Sequence, residues 1–183
     1  MAVPYKTPYR QNADTSPVNL LHIIDGLGVG GAEMLVVTLL KNLKGYKLHL
    51  IVLGKPDTLA KELPADCKVT ILNFKNYRDI PSCAFFIRRY IIANQINIVH
   101  SHLYWSNITA RFATPKRIPL YNCIQNISSM ASYTANRLSL YLEKFTYKKR
   151  HHIIAVSKVV LDDFDQWVGL RGKSTVLYNI IGD

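Results

Sequence analysis

Short apolar runs alternate with longer amphipathic segments along most of the chain. The first run, Val18–Ile24, is mostly apolar and rich in β-branched residues, and it ends at Asp25 and Gly26. A run of this kind predicts a buried strand. Six more follow, at residues 47–53, 68–72, 97–101, 120–124, 152–156 and 174–177. The pattern therefore predicts a sheet of about seven strands.

The segments between these strands place apolar residues at helical spacing. Residues 32–43 carry an i, i+3/i+4 apolar stripe, and Gly45 follows it as a stop signal. Helices are predicted in the same way at residues 82–94, 105–113 and 131–149 and after Ser157, with a helical turn at 58–63. Strands that are apolar on both faces and alternate with helices favour a parallel sheet covered on both sides. We therefore predict a Rossmann-like α/β domain.

Length and composition are those of one ordinary domain. The 183 residues are 49% hydrophobic, which is enough to bury a single core. Residues 1–17 are polar and contain prolines, so we predict a flexible arm before a domain at 18–183. This arm has no apolar segment of the kind that secretory signals contain, and no run of about 18 apolar residues occurs in the chain. We expect a cytoplasmic protein.

The charge is strongly basic and indicates an anionic partner. The sequence has 23 Lys and Arg against 12 Asp and Glu, a formal net charge of +11. Nucleic acid, a phosphorylated ligand and an anionic membrane surface all fit such a charge. No known nucleic-acid-binding module is recognisable, so nucleic acid is not predicted. Basic residues with aromatic neighbours on two predicted helices favour either a solvated helix face or peripheral contact with the inner face of the membrane. These residues are Arg88, Arg89, Lys144, Lys148, Lys149 and Arg150.

Glycines 26, 28, 30 and 31 follow the first predicted strand directly. A turn at that position lies at the carboxyl edge of the sheet, where glycine permits close approach of a ligand and a helix N-terminus favours an anion. A plain turn needs glycine equally. Gly26, Gly28 and Gly31 satisfy the spacing GxGxxG, but no acidic residue ends the second strand, where Val52–Lys55 reads VLGK. A nicotinamide cofactor is therefore not favoured.

Four stretches in order carry a family resemblance. They are GGAE at 30–33, IVHSHLYWSN at 98–107, IIAVSKVVLDDF at 153–164 and TVLYNIIGD at 175–183. Together they resemble the N-terminal domain of the family 4 glycosyltransferases, which have the GT-B fold. The final stretch departs from the family's Tyr-Asn-Gly, because Ile180 follows Tyr178 and Asn179.

The resemblance implies two Rossmann-like domains that face a cleft. Such enzymes transfer a sugar, here of hexosyl type, from a UDP- or GDP-sugar to a glycan or lipid-linked acceptor, commonly with retention of configuration and without an essential cofactor or metal. The N-terminal domain mainly binds the acceptor, and the C-terminal domain binds the donor and carries two glutamates eight residues apart. The only glutamates here, Glu33, Glu62 and Glu143, lack that spacing. We therefore expect an acceptor-side half that lacks its C-terminal donor domain and is inactive alone.

The same resemblance assigns most candidate site residues. Gly30 and Gly31 match the loop that approaches the donor diphosphate and the acceptor. Glu33 lies in the first turn of the following helix, where an anion is favourable in any case. His102 matches a histidine that positions the transferred sugar or the acceptor, with His100 in a supporting role; a structural histidine remains the alternative. No third ligand lies near these two histidines in the sequence, so no metal site is predicted.

Three further residues complete the predicted site. Gln125 and Asn126 follow the fifth strand where family members often place a histidine, and either amide can bind a hydroxyl. Ser157 matches the serine of the family's IAVS motif, although capping of the next helix explains it equally well. Two other functions stay open: one half of a GT-B-like nucleotide-sugar epimerase, which would use acid/base carboxylates, and a Rossmann-like binding module that works alone.

Overall fold

The computed structural model describes residues 17–130 and 137–178. The predicted arm therefore lies almost wholly outside the described residues, as do residues 131–136, Asn179 and Ile180. The described residues form seven strands: β1 Val18–Ile24, β2 Tyr46–Val52, β3 Lys68–Ile71, β4 Ile98–His102, β5 Leu120–Ile124, β6 His152–Ala155 and β7 Ser174–Val176. The helices are α1 Gly31–Asn42, α2 Ile80–Ala93, α3 Tyr104–Ala113, α4 Arg137–Thr146 and α5 Lys158–Trp167, with 3₁₀ helices at Thr58–Glu62 and Tyr77–Asp79.

All seven strands form one parallel sheet in the order β3-β2-β1-β4-β5-β6-β7. The chain first builds the sheet from β1 outward to β3, then crosses back and builds it from β4 to β7 on the other side of β1. The connections therefore reverse direction between β1 and β4. The crevice at the carboxyl ends of two such strands is where open α/β sheets bind ligands. The predicted Rossmann-like α/β class is confirmed.

One sheet face packs against α1. Val36, Val37 and Leu40 of α1 are buried against alternate residues of β1 and β2, including Leu20 and Leu50. The buried side of helix α1 therefore lies along one edge of the apolar stripe predicted for residues 32–43. The helix begins at Gly31 and ends at Asn42, one residue before the predicted bounds at each end.

The opposite sheet face packs against helices α2, α3 and α5. Ile87 and Ile91 of α2 and Ala110 of α3 are buried with Leu21 and Val99 of the sheet. Farther along, α5 buries Val160 and Phe164 against Ile153 and Ala155 of β6. Successive residues of a strand point to opposite faces, so both faces of the central strands contribute to the core, as the sequence predicted, although His22 of β1 and His100 and His102 of β4 interrupt the apolar pattern on one face.

A buried polar network ties α3 to α4 and β5. The Arg111 guanidinium forms an ion pair with the Glu143 carboxylate at 2.7 Å and donates to Asn122 Oδ1 at 2.8 Å and to Thr146 Oγ1 at 3.2 Å. Arg111 and Glu143 are 5% and 4% exposed. Charges so deeply buried are retained only where they are paired and hydrogen-bonded.

The helix predicted at 131–149 is shorter at its C-terminal end. Helix α4 ends at Thr146. Tyr147 is fully buried against Phe164 and accepts hydrogen bonds at its hydroxyl from the backbone N–H groups of Arg171 and Gly172. Tertiary packing of this ring therefore ends the helix before the basic segment 148–150, whose composition alone is compatible with a longer helix. The other predicted elements lie within about two residues of their observed bounds.

No helix among the described residues is both long and apolar enough to cross a membrane.

Candidate functional site

The predicted site residues follow four strands that are neighbours in the sheet. The glycine loop follows β1, His102 ends β4, Gln125 follows β5, and Ser157 lies two residues beyond β6. Because all strands are parallel, the four segments lie along one edge. The glycine loop and His102 flank the point where the connections reverse. Neighbouring strands are about 4.8 Å apart, so the positions after β1 and β6 are roughly 14 Å from one another.

Gly28 and Gly31 of the loop have different structural roles. Leu27 N–H donates to the carbonyl of Pro56 at 2.6 Å, which holds the loop against the segment after β2. A Cβ on Gly28 would lie 2.9 Å from the Pro56 ring, so this glycine is required for packing. A Cβ on Gly31 would have no other atom within 4 Å. Gly31 therefore faces open space, where a ligand has room to approach the backbone.

Helix α1 begins at this loop with its N-terminus partly occupied. Gly30 is the N-cap residue and has no side chain to satisfy the first helical N–H groups. The Glu33 carboxylate folds back over Gly30, where it would collide with any Cβ. A carboxylate at that place stands where a phosphate would be favoured by the helix dipole. Glu33 is thus close to the predicted diphosphate position but occupies it in the free protein.

Asp25, which sequence analysis noted only as the end of a strand, joins β1 to α3. Its carboxylate accepts from the backbone N–H of Ser106 at 2.6 Å, the Ser106 hydroxyl at 2.6 Å and the backbone N–H of Trp105 at 3.2 Å. It therefore caps the N-terminus of α3 from 80 residues away. Burial raises the pKa of Asp25 to about 6, although the hydrogen bonds from Ser106 and Trp105 act in the opposite direction.

The turn between β4 and α3 is strained. Leu103, which directly follows His102, has a φ of 72°. Positive φ is costly for a bulky side chain, by about 1–3 kcal/mol, and is concentrated at functional sites. The turn lets α3 start at Tyr104 and keeps His102 at the end of the strand.

His102 belongs to a cluster of three imidazoles, of which those of His22 and His102 are buried and that of His100 is partly buried. His100 and His102 are two residues apart on β4, and His22 of β1 pairs with His100 in register. All three side chains therefore lie on the same sheet face. His22 Nδ1 and His102 Nε2 are 3.0 Å apart, and the ring centroids of His100 and His102 are separated by 4.2 Å.

Burial keeps these three rings neutral. It lowers the pKa of His22 and His102 well below the ordinary value and that of His100 to about 4. His22 Nε2, His100 Nε2 and His102 Nδ1 are buried and have no hydrogen-bond partner within the described parts of the chain. The third imidazole was missed by sequence analysis, since His22 lies in an apolar strand 78 residues before His100.

The predicted amide pair lies at the end of β5. Gln125 is half-buried, and Asn126 is exposed. Gln125 lines a small recess between the end of β5 and helices α3, α4 and α5 together with Asn107 and Phe164. Its Nε2 atom is buried without a hydrogen-bond partner among the residues that the structure describes. A ligand hydroxyl could bond to this donor only if the recess opened enough to uncover it.

Ser157 is the N-cap of α5. Its hydroxyl accepts from the backbone N–H of Val160 at 3.2 Å. The capping interpretation of this serine is therefore confirmed. Because β6 is three strands from β1, only an extended ligand could touch both Ser157 and the glycine loop.

The edge offers three kinds of recognition. The N-terminus of α1 offers backbone N–H groups to an anion. Neutral imidazole and carboxamide groups offer hydrogen bonds to hydroxyls. Four carboxylates lie near this edge among the described residues: Asp25 caps α3, Glu33 lies over the glycine loop, Glu143 lines the recess beside Gln125, and Asp163 accepts from the backbone N–H of Ser129. The arrangement suits binding and orientation of a polyhydroxylated, anionic ligand.

Comparisons with known proteins agree with this arrangement. The model of Glycosyltransferase Family 4 matches residues 29–182. A search of curated proteins finds no significant sequence match.

Solved structures share the fold at low sequence identity. Anabaena HepE in complex with UDP has a TM-score of 0.67 at 16% identity, covering 88% of this chain and 44% of that one. Sucrose-phosphate synthase from Thermosynechococcus elongatus has a TM-score of 0.63 at 13% identity, covering 88% and 48%. The UDP-GlcNAc 2-epimerase from Methanocaldococcus jannaschii has a TM-score of 0.60 at 12% identity, covering 87% and 45%. The chain thus spans less than half the length of each of these proteins.

Proposed function

Since the chain belongs to glycosyltransferase family 4, we propose that it is the acceptor-side half of a retaining hexosyltransferase. The donor would be a nucleotide-sugar and the acceptor a glycan or a lipid-linked glycan. One observation carries the proposal: the family's motif residues follow four neighbouring parallel strands and lie along one edge of the sheet. The edge offers sites for an anion and for hydroxyls, which are the two chemical parts of a nucleotide-sugar.

Each residue has a specific proposed role. The backbone at Gly30 and Gly31 approaches the donor diphosphate, and Glu33 swings away when the diphosphate binds. His102 hydrogen-bonds a hydroxyl of the transferred sugar or of the acceptor, which fixes the distance between the reacting atoms.

The other predicted residues extend the site along the edge. His100 supports His102 from the same strand. Gln125 and Asn126 bind acceptor hydroxyls, and Ser157 holds the start of α5 at the far end. HepE was solved with UDP, which favours a UDP-sugar over a GDP-sugar as the donor. No cofactor is assigned to the transfer itself.

We further propose that a second domain supplies the donor side and that a cleft closes between the two halves. The 183-residue chain alone is then expected to show no transferase turnover. Departure of the diphosphate would be stabilised electrostatically, chiefly by the second domain. Clear turnover by the purified chain would contradict this part of the proposal.

A donor screen tests the proposed function. The product of the complete reading frame is incubated with UDP- and GDP-sugars, with and without candidate glycan acceptors. His102→Ala is expected to lower kcat/KM by on the order of 100-fold, because the reacting groups lose their alignment. His152→Ala is the matched control, since that ring lies on β6 and donates to or accepts from Thr175 rather than reaching the edge. Equal losses in the two variants would refute the role of His102.

The epimerase alternative predicts a different product. An epimerase changes the nucleotide-sugar in the absence of any acceptor, whereas a transferase releases the free nucleoside diphosphate only when an acceptor accepts the sugar or water replaces it. Chromatography of the nucleotide products without acceptor separates the two. A new nucleotide-sugar under those conditions would replace the transferase proposal.

We also propose that helices α2 and α4 contact an anionic membrane surface, where a lipid-linked acceptor would be located. Between Asp79 and Asp162 the sequence contains eleven Lys or Arg and one acidic residue, Glu143; of the eleven, Arg111 is buried with Glu143 and Lys158 pairs with Asp162. Phe85 and Tyr141 of these helices are 63% and 62% exposed. Exposed aromatic rings among cations without neighbouring anions are typical of surfaces that bind anionic lipid.

Vesicle co-sedimentation tests the membrane contact. Vesicles of phosphatidylglycerol and phosphatidylcholine are expected to bind the chain, and vesicles of phosphatidylcholine alone are not. Replacing Arg88 and Arg89 together by Glu should reduce binding by roughly tenfold or more. Val159→Ser is the control, because Val159 is about as exposed as Phe85 and Tyr141 but lies on α5. Binding that ignores either lipid charge or the arginine changes would refute this contact.

A further inference from the structure

The histidine cluster has the strand geometry of a metal site. Two histidines at i and i+2 on one strand and a third on the neighbouring strand place three imidazoles on one sheet face. His100 and His102 occupy the first two positions and His22 the third. One nitrogen from each ring can be chosen so that all three lie within 4.8 Å of one another. Three imidazoles are also a ligand set that zinc accepts, with a fourth position left for water or substrate.

One of the three nitrogen pairs has about the separation of an occupied site. With zinc–nitrogen bonds of about 2.0–2.1 Å in tetrahedral geometry, two ligand nitrogens are roughly 3.3 Å apart. His22 Nδ1 and His102 Nε2 are 3.0 Å apart. The centroid of the His22 ring is 5.2 Å from that of His100 and 5.3 Å from that of His102. The His100 nitrogen lies within 4.8 Å of the other two, so its ring would have to turn toward them for all three nitrogens to share a common centre.

The cluster is also unsatisfied as it stands. Each of the three rings has one buried nitrogen without a hydrogen-bond partner in the described parts of the chain. Leaving a buried polar atom unsatisfied is costly, by about 1–3 kcal/mol in general. A metal bound through His100 Nε2 would satisfy that atom, and a metal bound through His22 Nδ1 and His102 Nε2 would replace the hydrogen bond between those two rings. Neutral imidazole is the form that binds metals, and burial favours that form here.

We propose that His22, His100 and His102 bind one Zn²⁺ ion, with the fourth position open to water. Nitrogen ligands favour zinc and its transition-metal neighbours over Mg²⁺ and Ca²⁺, which take oxygen ligands. The ion would engage His102 and so withhold it from a sugar hydroxyl. Zinc is therefore an inhibitor rather than a catalytic metal, and this second step alone rests on the proposed glycosyl transfer.

Cobalt titration of the purified chain tests the site directly. The chain is prepared without a histidine tag, stripped with a chelator and titrated with Co²⁺, which absorbs visibly when bound in tetrahedral geometry. We expect saturation at one equivalent and displacement by one equivalent of Zn²⁺. His22→Gln should weaken metal binding by more than about tenfold. Changes in the outer shell of a metal site typically cost roughly 10–100-fold in affinity, and loss of a ligand should cost at least as much as the smallest of these. His152→Gln is the matched control on the same sheet face.

The outcomes separate clearly. Failure of the wild-type chain to bind Co²⁺ or Zn²⁺ saturably overturns the site, whatever the variants do. Binding that survives His22→Gln unchanged, in a variant whose circular dichroism matches wild type, overturns it as well. If His22→Gln does not fold, ¹⁵N spectra of the wild-type imidazoles decide: zinc must shift signals of three histidines, and any other set refutes the assignment.

Activity is a separate readout. Zinc that binds the chain but leaves transfer by the complete reading-frame product unchanged would overturn the inhibition and leave the metal site intact. A metal site can likewise be confirmed on the chain even if no donor sugar is ever turned over. Failure of the metal proposal and failure of the proposed function are thus distinguishable.

Discussion

At the scale of single residues, Asp25 has the clearest predicted effect on stability. It accepts three hydrogen bonds at the start of α3, so Asp25→Ala leaves buried donors without partners. We expect a loss of about 1–3 kcal/mol in the free energy of unfolding, measured by urea denaturation. Asp57→Ala is the control, because Asp57 forms only a surface ion pair with Lys55 and should cost less than about 1 kcal/mol. Similar losses in both variants would contradict the capping role.

The variant Gly31→Ala distinguishes an effect on ligand binding from an effect on folding. A Cβ there meets no atom within 4 Å, so Gly31→Ala should change the stability by no more than about 0.5 kcal/mol. In the product of the complete reading frame, Gly31→Ala should still raise the KM for the nucleotide-sugar, because the added methyl group occupies space that the ligand needs. Gly54→Ala is the contrasting variant, since its Cβ would lie 2.7 Å from the backbone oxygen of Phe74. That variant should destabilise the fold. An unchanged KM in Gly31→Ala would refute the proposed backbone contact.

At the scale of elements, the ion pair between α3 and α4 controls how these helices pack. Glu143→Ala leaves the Arg111 charge buried without its counterion, which typically costs about 3–5 kcal/mol. Arg111→Met combined with Glu143→Leu removes both charges and should recover most of that loss, as urea denaturation of the single and double variants would reveal. Additive losses in the double variant would indicate that the two side chains are not coupled.

At the scale of the whole molecule, buried histidine makes stability depend on pH. Burial, with the nearby charges of Arg111, Arg150 and Lys148, lowers the pKa of His151 from 6.5 to about 3. Between these two pKa values the unfolded chain therefore binds more protons than the folded chain. The free energy of unfolding falls as the pH drops below about 6.5, by at most roughly 1.4 kcal/mol per pH unit for one proton. Asp25, with its pKa raised from 3.8 to about 6, opposes this between those two values.

His151→Gln tests the pH dependence. Glutamine can still accept the hydrogen bond that the backbone N–H of Lys148 donates to His151 Nδ1, but it does not titrate. Denaturation midpoints measured from pH 4 to 7.5 should fall less steeply with acidification in this variant than in wild type. Parallel curves would show that another group is responsible.

Much of the fold was predictable, because central strands of a parallel sheet are apolar on both faces and stand out in the sequence. The positions of the candidate site residues could be predicted only where these residues end a strand or directly follow one, as His102 and Gln125 do. Asp25 and His22 were missed, because their roles depend on β4 and α3, which lie about 80 residues away in the chain. The premature end of α4 was missed for a similar reason, since the buried position of Tyr147 depends on α5.

The central place of β1 also has a consequence for synthesis on the ribosome. Its second neighbour, β4, begins at Ile98, whereas β1 begins at Val18. At about 5–20 residues per second, one edge of β1 waits for roughly 4–16 s before its partner has been made. Throughout that interval the nascent chain exposes an apolar strand edge, which is a template for aggregation. We therefore expect the first half of this domain to depend on chaperones more than its finished, fully paired sheet would indicate.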